Sequence, residues 1–93
     1  MGRLIIDVRT EEEYAIRHLA GSVNISFEDY DFYARISNLS RDQELILYCN
    51  AGGRAGRARA RLKARGFTDV TSYGIMGASV ATGAPVIYQS KSG

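Results

Sequence analysis

"ELILYCNAGGRAGRARARLKARGF", residues 44–67, joins an apolar run to a small, arginine-rich segment through the only cysteine of a 93-residue chain. Leu45-Ile46-Leu47-Tyr48 reads as the clearest strand of the sequence, a continuous apolar run of the kind that parallel sheets bury on both faces. Ala51-Gly52-Gly53 makes the backbone pliable, and Ala55–Arg65 consists almost wholly of good helix formers until Gly66 supplies a stop. On a helical wheel Ala55, Ala58 and Leu62 share one side, while Arg54, Arg57, Arg61 and Arg65 form a neighbouring stripe. Cys49 therefore stands at a strand-to-helix turn.

Working outward, Leu4-Ile5-Ile6-Asp7-Val8 reads as a second buried strand, with Asp7 near its carboxyl edge. Thr10 and Glu13 form a capping-box pattern, and Glu11 to Glu13 suit the positive end of a helix expected to run to about His18. Gly21 breaks it, and Val23-Asn24-Ile25 is a very short strand. Tyr30, Phe32, Tyr33 and Ile36 recur at helical spacing within 27–36, a short helix laid on the sheet. A polar connection over 38–43 follows. Beyond the quoted stretch, Asp69–Tyr73 is another strand, and 74–83 is a turn plus a poorly specified helix or loop before Pro85. Strands alternating with helices predict an α/β three-layer sandwich, a small, mainly parallel sheet flanked by helices. The expectation is a single domain over residues 1–88 and a loose tail, 89–93.

Composition sets further bounds. The length suits one core, and a lone cysteine allows no disulfide within the chain and leaves the redox compartment undecided. No stretch approaches the roughly 20 apolar residues of a membrane span, and Met1-Gly2-Arg3 leads into a strand without a secretory leader. The net charge of +2 is too small to imply a polyanion partner, but six basic residues from Arg54 to Arg65 follow the cysteine directly.

In open parallel sheets ligands bind beyond the carboxyl ends of the strands, so Cys49 occupies the position of a nucleophile. The start of the next helix favours a thiolate there, Arg54 adds positive charge, and the N–H groups of Asn50 to Arg54 can curl into an anion cradle. Against this stands the plain reading of Cys49 as a small buried hydrophobe, the commoner fate of a free cysteine. The glycines and the arginine after it tip the balance towards function.

Cys49-Asn50-Ala51-Gly52-Gly53-Arg54-Ala55 resembles the active-site loop of the rhodanese-like sulfurtransferases, usually Cys-Arg-Ser-Gly-x-Arg-Ser. Ile6-Asp7-Val8-Arg9 with Glu12-Glu13-Tyr14 is similar to that family too, as are His18-Leu19-Ala20-Gly21-Ser22-Val23-Asn24-Ile25 and Gly83-Ala84-Pro85-Val86. The short form and Cys49-Asn50-Ala51-Gly52 are most similar to the periplasmic single-domain rhodaneses of the bacterial phage-shock response. Asn50 replaces a frequent arginine and Ala55 a serine, removing one cation and one hydroxyl from the loop. The resemblance implies the rhodanese-like fold and transfer of sulfane sulfur through a Cys49 persulfide, with thiosulfate or a persulfide as donor. Cyanide or a thiol, including one on an acceptor protein, would take the sulfur. It implies Cys49 as catalytic residue, Asn50, Ala51, Gly52, Gly53, Arg54 and Ala55 as substrate- and persulfide-binding residues, and no metal or other cofactor. It points to the periplasm, with the cytoplasm as the alternative.

Three rivals remain. A cysteine-dependent phosphatase or arsenate reductase carries Cys-x5-Arg, but here the arginine is fifth after the cysteine and Ala55 is sixth. A non-catalytic rhodanese-like binding module usually lacks the cysteine. A nucleic-acid binder would interleave aromatic residues with the arginines, so no nucleic-acid or membrane partner is expected. His18 is read as a structural hydrogen-bonding residue ahead of a general base, Arg9 as an ion-pair partner of a helix acid such as Glu13, and Tyr14, Tyr30, Phe32 and Tyr33 as core and surface packing residues.

Overall fold

In the computed structural model, which describes residues 2–89, the strand read at 45–48 is β4 (Leu45–Cys49), every residue of it buried. Its side chains divide by alternation. Leu45, Leu47 and Cys49 enter one core cluster, and Tyr48 enters the other on the opposite face. Burying a side chain such as Leu47 completely is worth about 1.5–3 kcal/mol.

β4 pairs in parallel with β1 (Leu4–Asp7) on one side and β5 (Val70–Gly74) on the other, and β3 (Val23–Asn24) pairs in parallel with β1. The order β3-β1-β4-β5 reverses direction between β1 and β4, so their carboxyl ends form the topological switch point where open sheets bind ligands. Arg9 follows β1 and Cys49 ends β4 at that point.

α3 (Gly53–Ala64) lays Ala55, Ala58 and Leu62 on the sheet, and their small size permits close approach. Phe32 and Ile36 of α2 (Phe32–Ile36) join the same core. The helix expected over 27–36 is shorter than its periodicity, since 27–31 form turns and a bend instead. On the other face α4 (Ile75–Thr82) buries Ile75 and Ala78 against Tyr48 and Ile5, which resolves the unspecified 74–83 segment as a helix.

One departure reshapes the layer beside α4. The helix at Thr10 is α1 (Glu11–Ile16), and Arg17–Leu19 is a strand, β2, paired antiparallel with β6 (Val86–Tyr88). Neither strand was expected, because three-residue strands carry too little alternation to be read. Tyr48 anchors the pair: its hydroxyl accepts from Leu19 N–H at 2.9 Å and lies 3.1 Å from Ser22 Oγ. Of the tail expected over 89–93, residues 90–93 lie outside the described residues. Among the described residues no helix is long and apolar enough to cross a membrane.

Candidate active site

The site begins with a glycine. Gly52 has φ +102°, a conformation that L side chains rarely adopt, and this bend turns its N–H back to donate to Cys49 Sγ at 3.0 Å. The next residue opens α3, so the sulfur also lies at the positive end of a twelve-residue helix. The loop is pressed on the end of β5: Ile75 N–H donates to Asn50 O at 3.3 Å, and a Cβ on Gly74 would stand 2.8 Å from that same oxygen. Cys49 itself is only 2 % exposed.

Around the loop runs a chain of paired groups. Asp7 and Arg9 are both buried and hold one another, Arg9 Nη2 to Asp7 Oδ2 at 2.7 Å. Burial works against the Arg9 charge, but hydrogen bonding and attraction to Asp7 outweigh it and hold its pKa above the ordinary value. Arg9 Nη1 then donates to Asn50 Oδ1 at 3.0 Å, and Asn50 Nδ2 donates to Glu13 Oε2 at 2.9 Å. Glu13 closes the chain by accepting from Arg54 Nη1 at 2.7 Å and Nη2 at 3.0 Å, a bidentate pair.

The ion pair expected between Arg9 and a helix acid such as Glu13 is therefore corrected. Asp7, two residues away and equally buried, takes Arg9, and Glu13 takes Arg54 across the fold. The Arg54 hydrogen bonds bring the Glu13 carboxyl down to about 2, and Arg54 is held far above its ordinary range by the same bonds, with attraction to the Glu13 and Glu28 carboxylates adding to them. The expected capping box is present as well, Thr10 N–H donating to Glu13 Oε1 at 3.0 Å and Glu13 N–H to Thr10 Oγ1 at 3.2 Å. One carboxylate thus caps α1 and fixes the loop arginine.

The other residues singled out from the sequence are placed as follows. Ala51 is exposed, Gly52 and Gly53 carry the bend into α3, and Ala55 is fully buried on the inner side of α3. Both polar atoms of Asn50 are engaged by Arg9 and Glu13. His18 stacks on Tyr14 with ring centroids 3.9 Å apart, and its Nδ1 lies 2.8 Å from Tyr14 O, a structural setting. Phe32 and Tyr33 pack on the core while Tyr30 is fully exposed. Reasoning from sequence missed Tyr48 and Asn24, whose amide donates to Asp7 O at 3.0 Å and Arg9 O at 2.9 Å, tying down the turn after β1. The family motif containing Asn24 was its only signal.

The model for the rhodanese-like domain family matches residues 1–76. The chain belongs to that family. It is 32 % identical over 69 residues to thiosulfate sulfurtransferase PspE of Escherichia coli, covering 74 % of this chain and 66 % of that one. It is 34 % identical over 83 residues to the mitochondrial protein HIGH ARSENIC CONTENT 1 of Arabidopsis thaliana, covering 78 % of this chain and 49 % of that one. The chain thus spans half to two thirds of the length of these relatives. Among solved structures, an E. coli rhodanese with anions superposes with a TM-score of 0.74 at 26 % identity, over 94 % of this rhodanese-like chain and 99 % of that one.

Proposed function

We propose that this rhodanese-like protein is a thiosulfate sulfurtransferase, folded as one domain over residues 1–88, that carries sulfane sulfur as a persulfide on Cys49. The observation that supports it most is the Gly52 N–H donating to Cys49 Sγ at the mouth of α3, a fixed dipole aimed at a sulfur that must bear negative charge. PspE, similar over most of the chain, is itself named a thiosulfate sulfurtransferase.

In the first step the Cys49 thiolate attacks the outer sulfur of thiosulfate. The Sγ–S bond forms, the bond to the sulfonate sulfur breaks, and sulfite leaves with that electron pair. Because Cys49 is 2 % exposed, the loop must admit the small outer sulfur ahead of the sulfonate. The negative persulfide then rests among the N–H groups of residues 50–54 at the helix start. In the second step cyanide, or a thiolate of a small molecule or protein, attacks the outer sulfur, the S–S bond breaks, and the Cys49 thiolate returns. Arg54, held in one orientation by Glu13, supplies positive charge at the loop. The compartment that goes with the phage-shock resemblance is the periplasm, with the cytoplasm as the alternative.

Incubation with thiosulfate should raise the intact mass by about one sulfur atom, cyanide should remove it as thiocyanate, and Cys49→Ser should do neither. A wild-type protein that gains no sulfur from thiosulfate or a persulfide donor would sink the reading and leave a binding role in its place.

A further inference from the structure

α3 and its C-cap carry Arg54, Arg57, Arg59, Arg61, Lys63 and Arg65 with no acid among them. Two of these are used within the fold: Arg54 pairs with Glu13, and Arg59 Nε donates to Val70 O at 2.8 Å. Arg57, Arg61, Lys63 and Arg65 are exposed, and none has an acidic partner among the described residues. Such a surplus of cations costs self-repulsion.

Two of the guanidinium groups are held in place. Arg61 lies over the ring of Phe27 at 5.1 Å and Arg65 over the ring of Tyr33 at 3.8 Å. Stacking fixes the plane of a guanidinium and leaves its edge free for bidentate contact with a carboxylate, so less side-chain entropy is lost on binding. Arg57, Arg61 and Arg65 recur every fourth residue, a spacing of about 6 Å along the helix. Beside Arg65 a cavity of about 340 Å³, also lined by Tyr33 and Ser37, lies between α2 and α3. The Tyr33 hydroxyl is itself buried, with no hydrogen-bond partner among the described residues.

We propose that the outer face of α3 is a docking surface for an acidic helical segment of a protein partner, one that presents carboxylates at every fourth position. The match is one of charge and of period. A nucleic acid fits less well, because α3 carries no aromatic residue for bases to stack on, and Phe27 and Tyr33 each have a guanidinium over one face. The inference is independent of the chemistry at Cys49.

The test is titration of the protein with three labelled probes in one low-salt buffer: a helical peptide with glutamate at every fourth position, the same peptide with its sequence scrambled, and a single-stranded oligonucleotide. The periodic peptide should bind most tightly, and Arg61→Glu should weaken it at least about tenfold, a loss that Arg3→Glu, the same charge change just before β1, should not reproduce. Circular dichroism of both variants establishes that each is folded. Equal binding of the two peptides, tighter binding of the oligonucleotide, equal losses in the two variants, or no binding would each overturn the proposal.

Discussion

Glu13 shows how much one side chain can organise. Its carboxylate accepts from the Thr10 backbone, from Asn50 and from both terminal nitrogens of Arg54, and can do so only while ionised. Its folded pKa of about 2 lies below the ordinary 4.5, so its contribution to stability is full above 4.5 and disappears as the pH falls towards 2. Glu13→Gln should cost about 1 kcal/mol at neutral pH, given the partial exposure of the pair. Urea unfolding should show that gap closing between pH 4.5 and 2. A gap constant across that window would mean the charge is not what matters. Two glycines provide a contrast at the same scale. Gly74→Ala forces a Cβ to 2.8 Å from Asn50 O and should cost about 1–3 kcal/mol. Gly53, with nothing within 4 Å of an added Cβ, should accept alanine with a gain of about 0.4–1 kcal/mol. Chemical denaturation of the two variants checks both signs.

At the scale of elements, the four parallel strands and the β2–β6 pair are held by different means. The central strands of the former, β1 and β4, are buried between helices on both faces. The latter is short, its outer strand is largely exposed, and the Tyr48 hydroxyl ties it to β4. Tyr48→Phe strands the Leu19 N–H and removes a partner of Ser22, so it should cost about 1–3 kcal/mol in thermal or urea unfolding. Amide hydrogen exchange should be slowest in β1 and β4 and much faster in β6. Equal protection of β6 and β4 would show that the small sheet opens only with the whole domain.

The whole molecule is bounded on the alkaline side as well as the acid side. Burial pushes Tyr48 up to about 12 from its ordinary 10, against the bonds from Ser22 and Leu19. The folded state therefore favours the neutral phenol, a contribution present below pH 10 and lost as the pH rises from 10 through 12. Over that range the stability of the wild type should fall towards that of Tyr48→Phe. Parallel curves would locate the alkaline limit elsewhere. What the sequence determined by itself was everything carried by local pattern: the buried runs of β1 and β4, the Thr10–Glu13 cap, the small inner face of α3 and the position of Cys49 at a strand end. Each of these depends on residues within a turn or two of one another. What only the tertiary structure decided were the partners. Whether Arg9 met Asp7 or Glu13, whether Asn50 turned to solvent or inward, and whether three residues at each of 17–19 and 86–88 made a sheet all depended on segments far apart in the chain. Hydrogen bonds and ion pairs act over a few ångströms. Only the folded arrangement sets which groups come that close.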